Sequence, residues 1–265
     1  MKFLNYEMGT GVCAFSTLRA GGCSRGAYAS FNVNAWCGDD EGCVARNRKL
    51  LCGCLGMPEE RLVIPHQVHQ ARVACIDELF LDGDEAMRRE RLEGVDAVAT
   101  DCPRVCVGVS TADCIPVLLY DKRHHAVAAV HAGWRGTVLR IAEVTLATMC
   151  EAYGTEPAEV RAVIGPGISL DAFEVGDEVY DVFAGAGFPM DRIARRFPVA
   201  GMPETEKWHI DLWEANRWTL MQAGLSGEYI HVSGVCTYDK WSDFFSARRL
   251  GLHSGRILTG IFLDR

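Results

Sequence analysis

The pattern of apolar positions is clearest in the middle of the chain, where two short apolar runs stand close together. Residues 115–120 and 126–130 are each too short for a typical helix, and polar turn residues bound both runs. The pattern therefore predicts two neighbouring buried strands. Further strands are predicted from similar runs at residues 96–100, 105–109, 160–164, 229–235 and 256–262.

Between these runs, apolar residues recur at three- and four-residue spacing, which is typical of amphipathic helices. The spacing predicts helices over residues 40–55, from Thr137 to near Gly154, over 173–183 and over 208–220. Residues 78–95 alternate acidic and basic side chains and are expected to form a solvent-exposed excursion, and residues 184–207 are expected to be irregular. The alternation of strands and helices indicates an α/β fold, with residues 1–265 in a single domain on a mixed sheet.

Composition and charge narrow the class of protein. The 265 residues are 49% hydrophobic and 23% charged, as in an ordinary soluble globular protein, and the formal net charge is −8. This negative balance argues against binding to nucleic acid or to an anionic membrane. The first residues lack the apolar stretch of a signal peptide, so a cytoplasmic location is expected. The twelve cysteines are then expected to be reduced thiols.

Reactive side chains stand at the ends of the predicted strands. Cys114 comes just before the first of the two central strands, and His131 comes just after the second. His69 lies in the run at residues 65–69, where a strand is favoured over a helix because a proline opens the run and valines flank it. In a strand, His66 and His69 would face opposite sides, so we expect only one of them to be a ligand.

His69, Cys114 and His131 together match the preference of zinc for imidazole nitrogen and thiolate sulfur. Three protein ligands leave a fourth position open, as in catalytic zinc sites. Taken singly, each residue is more often a buried core thiol or a hydrogen-bonded core histidine. The residues alone leave these alternatives open.

Two arginines are candidates for binding an anion such as phosphate. Arg135 stands just before the helix predicted from Thr137, where backbone N–H groups and a guanidinium together attract anions. Arg19 lies in a loop with Gly21 and Gly22, and such a glycine pair permits a ligand to approach the backbone closely. The alternative for each arginine is an ordinary surface residue that pairs with a carboxylate or a carbonyl.

These residues lie in motifs that resemble the YfiH/YlmD-type family, long described as multicopper polyphenol oxidase or laccase-domain proteins. The motifs are Q-V-H (67–69), T-A-D-C-I-P-V-L-L (111–119), H-A-G-W-R-G-T (131–137), I-G-P-G-I (164–168), F-E-V-G (173–176) and F-F-S-A-R-R (244–249). They occur in the family's order over nearly the whole chain. Two departures stand out: Asp171 and Ala172 replace two cysteines of many members, and the Ser-Thr-Arg of the first loop is lengthened at residues 16–19.

The resemblance implies an α/β/β/α sandwich with a catalytic zinc held by His69, Cys114 and His131. It also implies phosphorolysis of purine nucleosides to the free base and ribose 1-phosphate, with adenosine deamination in some members. Adenosine, inosine, guanosine and methylthioadenosine are the implied nucleosides, and phosphate is the implied co-substrate. Arg135 and Arg19 are the residues assigned to phosphate.

Three alternatives remain open at this point. A copper-dependent polyphenol oxidase (laccase) could use the same donors, but the eight histidines form no His-x-His pair, so copper is expected only as an adventitious ion. A metal-free hydrolase would use Cys114 as nucleophile, His131 as base and Asp113 to orient that base. In a non-enzymatic protein, the zinc would only fasten the strands together.

Overall fold

The computed structural model describes residues 2–199 and 201–264. The strands are β1 (Phe3–Tyr6), β2 (Val12–Thr17), β3 (Leu62–Val63), β4 (Val73–Ile76), β5 (Ala97–Thr100), β6 (Cys106–Thr111), β7 (Ile115–Asp121), β8 (Ala126–Ala132), β9 (Val160–Ile164), β10 (Glu174–Val175), β11 (Ala194–Val199), β12 (Met202–Ile210), β13 (Ile230–Val232) and β14 (Ile257–Leu263). The helices are α1 (Glu41–Leu55), α2 (Glu78–Asp82), α3 (Glu85–Leu92), α4 (Trp134–Val138), α5 (Ile141–Tyr153), α6 (Asp177–Gly185), α7 (Met190–Ile193), α8 (Leu212–Gln222) and α9 (Ala247–Leu250). Among the described residues, no helix has the length and apolar character needed to cross a membrane.

Two β-sheets form the body of the molecule. The first sheet has the strand order β1-β2-β14-β6-β3, and the second has the order β13-β9-β7-β8-β5-β4. Most neighbouring strands are antiparallel, but β3 runs parallel to β6, β13 to β9 and β4 to β5. Both sheets are therefore mixed. A third, smaller sheet has the order β10-β12-β11.

The two main sheets pack face to face, and helices cover their outer faces. An interlayer core between the sheets includes Val107 and Ile261 of the first sheet and Leu118 and Ala129 of the second, all fully buried. Outside the first sheet, α1 contributes Leu51 to a separate apolar cluster. Outside the second sheet, α5 and α8 complete the largest cluster. The layers follow the order α/β/β/α, as the resemblance implies.

The two central apolar runs are confirmed as strands β7 and β8. Successive side chains of a strand point to opposite faces of the sheet. In β7, Leu118 and Tyr120 enter the interlayer core, whereas Val117 and Leu119 face the helices. Because apolar layers cover both faces, these strands are apolar throughout and do not alternate with polar residues.

The expectation of an irregular segment at residues 184–207 is wrong. Strands β11 and β12 pair there as an antiparallel hairpin, and residues around Trp208 continue it, so α8 begins only at Leu212. Only one of the six residues of β11 is buried, which leaves little apolar alternation to reveal a strand. Contacts between aromatic rings stabilise the region, because Trp208 stacks on Tyr180 at 4.1 Å between ring centroids.

The predicted helix from Thr137 to near Gly154 is divided in two. Arg140 separates α4 from α5 with a left-handed backbone (φ 56°), and its guanidinium lies 5.4 Å from the ring centre of Phe188 and 5.1 Å from that of Trp218. Phe188 and Trp218 are distant from Arg140 in the sequence, so helical periodicity could not reveal the break between α4 and α5. The predicted end at Gly154 is confirmed.

Two further expectations need correction. Residues 78–95, predicted to be a solvent-exposed excursion, contain the helices α2 and α3. Phe80 of this segment is buried in the interlayer core. Most of the other residues of the segment are exposed or half-buried. The helix predicted over residues 173–183 begins only at Asp177, as α6, so Phe173 lies before it.

Candidate metal centre

Strand pairing places Asp96 and His131 side by side. In the antiparallel β5–β8 pair, Ala97 lies opposite Val130, so one step further Asp96 lies opposite His131. The His131 N–H donates to the Asp96 carbonyl at 2.8 Å, which extends the ladder by that step. Opposite residues of an antiparallel pair present their side chains on the same face. His131 Nδ1 lies 2.8 Å from an Asp96 carboxylate oxygen, and both residues are buried.

The loop that carries His69 is fastened by two sets of hydrogen bonds. The backbone N–H groups of Val68, His69 and Gln70 donate to the Asp96 carboxylate at 3.2, 2.9 and 2.8 Å. The Gln67 amide donates to the Ser110 carbonyl at 2.9 Å and accepts from the Ser110 N–H at 2.8 Å. The loop is irregular, so the expectation of a strand at residues 65–69 is wrong.

His69 adopts a left-handed backbone conformation, with φ 63°. Residues with a side chain seldom take this conformation, and at functional sites the surrounding contacts hold them in it. His66, three residues earlier, instead pairs with Glu93 at 2.7 Å and stacks on Trp36. Only one of the two histidines therefore belongs to the cluster, as expected.

His69, Cys114 and His131 come together at the end of the interlayer core. Their candidate ligand atoms all lie within 4.8 Å of one another, and Cys114 Sγ is 3.8 Å from His69 Nε2. In a tetrahedral zinc site, sulfur and nitrogen ligands lie about 3.5 Å apart. The donor set therefore suits zinc in its chemistry, and the spacing between Cys114 and His69 is close to this value. Since His69 is exposed and Cys114 is half-buried, one side of the cluster is open to solvent.

Gly133 leaves the space that this cluster occupies. A Cβ atom at this position would lie 2.9 Å from Cys114 Sγ and 2.9 Å from His69 Cδ2. Real Cβ atoms do not approach other atoms so closely, so a side chain at this position would displace Cys114 or His69. The glycine of the H-A-G-W-R-G-T motif is therefore required for steric reasons.

In the metal-free site, the neighbouring charges shift the pKa values of Cys114 and His131 in opposite directions. Burial alone would raise the pKa of Cys114, but the neighbouring His131 and His69 outweigh it and lower this pKa to about 6. Burial alone would lower the pKa of His131, but Cys114 and Asp96 raise it to about 9. Near neutral pH, a thiolate therefore lies beside an imidazolium. A metal ion must displace the imidazolium proton before it can bind His131.

Asp96 is a site residue that the sequence analysis missed. Burial would raise the pKa of its carboxyl, but hydrogen bonds from His131 and the loop hold this pKa below its usual range. It therefore remains an anion and fixes which nitrogen of His131 faces the cluster. In the sequence, Asp96 is visible only as an acidic residue at the start of an apolar strand, and this pattern alone is weak evidence for a functional site.

Asp113 does not orient His131, so that part of the hydrolase alternative is wrong. Its carboxylate accepts hydrogen bonds from the Thr237 hydroxyl and the Arg248 N–H, both at 2.7 Å. Its carbonyl accepts from the Ile168 N–H at 2.8 Å. Asp113 thus joins three of the motifs and positions the turn before Cys114.

The two arginines assigned to phosphate lie in different surroundings. Arg135 is exposed, lies 4.2 Å from the ring centre of Trp134, and makes no ion pair with any described carboxylate. Arg19 donates to the carbonyls of Ala29 and Trp241 at 2.6 and 2.8 Å and lies over the Phe245 ring. Arg135 is therefore the freer of the two to bind an anion.

Comparison with known proteins identifies the family to which this chain belongs. The sequence model of the family described as multi-copper polyphenol oxidoreductase laccase matches residues 13–264 of this chain. The chain belongs to this family. A relative named purine nucleoside phosphorylase, from Bacteroides thetaiotaomicron, is 47% identical over 100% of this chain and 97% of its own. Adenosine deaminase RL5, from an unknown prokaryotic organism, is 45% identical over 95% of this chain and 94% of its own.

A solved structure agrees with the fold. The crystal structure of the Bacillus licheniformis hypothetical protein YfiH superposes with a TM-score of 0.88 at 32% identity, covering 98% of this chain and 96% of the other. The resemblance to the YfiH/YlmD-type family is therefore confirmed.

Asp96→Asn should weaken zinc binding by about 10- to 100-fold, as is usual when a group that orients a metal ligand is lost. An asparagine keeps the size of the side chain but replaces one accepting oxygen with a donor that faces N–H groups. Competition with a coloured chelator measures the zinc affinity of the variant and of the unchanged protein. An unchanged affinity in a folded variant would show that Asp96 does not support the site.

Gly133→Ala should abolish tight zinc binding, because its Cβ would lie 2.9 Å from two ligand side chains. Gly53→Ala is the matched control, since Gly53 lies within α1 and a Cβ there meets nothing within 4 Å. Zinc content after dialysis should fall only in Gly133→Ala. Equal zinc content in the two variants would contradict the steric argument.

In zinc-free protein, Cys114 should react rapidly with iodoacetamide at neutral pH. Its pKa lies below the ordinary thiol value, so the thiolate is present above about pH 6 and is lost as the pH falls through that value. The rate should fall about tenfold per pH unit below that point. Mass spectrometry of peptides measures the alkylation rate of Cys114 and that of the exposed Cys54, which serves as the reference. Added zinc should protect Cys114 only; failure to protect it would exclude it as a ligand.

Proposed function

We propose that this protein is a zinc-dependent purine nucleoside phosphorylase, with His69, Cys114 and His131 as the zinc ligands. The observation that carries the proposal is the open three-ligand cluster supported by Asp96. It lies in a chain that is 47% identical over its full length to a protein named purine nucleoside phosphorylase. The proposed substrates are adenosine, inosine, guanosine and methylthioadenosine.

The reaction transfers the ribosyl group from the purine nitrogen to a phosphate oxygen. The bond between ribose and base breaks, a bond between ribose and phosphate forms, and the base leaves with a proton. A bound zinc would act as a Lewis acid at the open side of the cluster. The transition state of glycosidic cleavage has oxocarbenium character, so an anion held near the sugar stabilises it.

The protein's own residues have separate tasks in this proposal. Asp96 keeps His131 and the His69 loop in position, and Cys114 supplies a negative charge near neutral pH. Arg135 binds phosphate, because its guanidinium is exposed and unpaired among the described carboxylates. A guanidinium can bind two phosphate oxygens at once, which orients the nucleophile.

Adenosine deamination is the second candidate activity. It is favoured by the 45% identity to a protein named adenosine deaminase. The same open position suits both reactions, since in deamination the attacking group is water in place of phosphate. The phosphate requirement therefore separates the two activities.

The metal-free hydrolase keeps some geometric support. Cys114, His131 and Asp96 have the arrangement of a nucleophile, a base and an orienting carboxylate, with Asp96 in the role first assigned to Asp113. That arrangement gives no task to His69, whose ring centre lies 4.7 Å from that of His131. Zinc binding uses all three side chains, so it is preferred.

A multicopper oxidase is disfavoured by the number of available sites. In residues 2–199 and 201–264, one group of three His, Cys, Asp or Glu side chains is close enough to hold a metal ion. A cluster of several coppers needs more ligands than this group provides. Copper in this site is therefore proposed to be adventitious.

Product analysis on adenosine and inosine, with and without phosphate, tests the proposal. Zinc-loaded protein should release adenine or hypoxanthine only with phosphate, and chelation or Cys114→Ala should abolish the release. Inosine formed from adenosine without phosphate would establish the deaminase. No purine product from zinc-loaded protein, or activity that survives chelation, would overturn the proposal.

Arg135→Ala should raise the KM for phosphate about tenfold or more, because a charge-assisted hydrogen bond is lost, while the KM for inosine changes little. Arg89→Ala is the control, since Arg89 is an exposed arginine on α3. An unchanged KM for phosphate would exclude Arg135 as the phosphate ligand.

A further inference from the structure

Two cysteines outside the metal centre share one arginine. Arg46 on α1 donates from Nε to Cys23 Sγ at 3.4 Å and from Nη2 to Cys43 Sγ at 3.2 Å. Nε and Nη2 form the edge of a guanidinium that binds both oxygens of a carboxylate. Here that edge faces two sulfur atoms, so the thiols lie next to each other.

The backbones of the two cysteines also approach each other closely. The Cys23 thiol donates to the Cys43 carbonyl, and the Cys43 thiol donates to the Cys23 carbonyl, each at 3.4 Å. The contacts are reciprocal, so each sulfur lies over the other residue. The two cysteines are therefore close neighbours, and a disulfide can form only between close neighbours.

The loop that carries Cys23 is clamped onto α1. Asn47 is fully buried, accepts from the Cys23 N–H at 3.0 Å and donates to the carbonyls of Ser30 and Asn32 at 3.2 and 2.8 Å. A Cβ at Gly22 would lie 2.3 Å from the Ser30 carbonyl oxygen and 2.6 Å from Asn47 Oδ1, so the loop packs tightly against Ser30 and α1. The two thiols are therefore held together by the fold and do not meet by chance.

We propose that Cys23 and Cys43 form a redox-modification site that a peroxide converts reversibly into a disulfide. None of its residues belongs to the proposed zinc centre, so the inference does not depend on the proposed function. The exposed thiols of Cys13 and Cys54 make no described hydrogen bond to another cysteine.

Cys23 is the thiol that reacts first. It is half-buried, whereas Cys43 is buried, and burial raises the pKa of the Cys43 thiol. The Arg46 guanidinium donates to the Cys23 sulfur, and the thiolate form of a cysteine is the nucleophile. This thiolate attacks one peroxide oxygen, the O–O bond breaks, and Cys23 becomes a sulfenic acid as hydroxide leaves.

Cys43 then resolves the sulfenic acid. Its sulfur attacks the Cys23 sulfur, the S–O bond breaks, and the oxygen leaves as water with the Cys43 proton. In total, two thiols and one hydrogen peroxide give one disulfide and two waters. A small dithiol such as dithiothreitol reverses the step by thiol–disulfide exchange.

The test is peptide mapping of zinc-loaded protein after treatment with stoichiometric hydrogen peroxide. The peptides of Cys23 and Cys43 should appear linked, with the loss of two hydrogens, and dithiothreitol should separate them. Cys54→Ser is the matched control and should still form the link, since Cys54 is an exposed cysteine of the same helix. Oxidation should also raise Tm by several degrees, because the link constrains the unfolded chain.

Two variants test the mechanism. Cys43→Ser should leave Cys23 as a sulfenic acid that dimedone labels, and Arg46→Gln should slow the oxidation of Cys23 on the order of tenfold, because the stabilising charge is lost. Circular dichroism checks that both variants fold. Absence of the linked peptide, or oxidation of Cys23 no faster than that of Cys54, would overturn the proposal.

Discussion

The candidate site depends on one buried carboxylate, that of Asp96. It accepts hydrogen bonds from the backbone of the His69 loop and from His131, and these donors keep it ionised although it is fully buried. A buried charge without such partners would cost several kcal/mol. The same contacts that stabilise the anion therefore fix two of the three candidate ligands, and neither ligand can move without exposing the carboxylate to an apolar environment.

The third candidate ligand is positioned by the packing of the two sheets. Strand β6 of the first sheet leads directly into the turn with Cys114, which opens β7 of the second sheet. Gln67 ties the His69 loop to Ser110 at the end of β6, and Asp113 ties the turn to Thr237 and Arg248. The cluster thus forms where the interlayer core ends, and its geometry follows from that of both sheets.

The thiol chemistry of the chain separates into two kinds of site. Cys114 lies between two histidines, which lower its pKa and suit it to a metal ion. Cys23 and Cys43 lie against one guanidinium and have no described histidine among their hydrogen-bond partners. A metal ion needs several neutral or anionic donors around it, whereas a disulfide needs only two neighbouring sulfurs. The surroundings, and not the residue type, decide which chemistry each cysteine can perform.

The sequence by itself determined the buried strands β7 and β8, the α/β class and the residues of the cluster, because apolar runs and motif residues are local signals. Only the tertiary structure decided what Asp96 and Asp113 contact, that Arg140 divides a helix, and that β11 pairs with β12. Each of these depends on partners distant in sequence or on exposed strands with little apolar pattern. An aspartate is the same residue in the sequence whether it orients a histidine, as Asp96 does, or holds a turn, as Asp113 does. Only its neighbours in the folded structure distinguish these two roles.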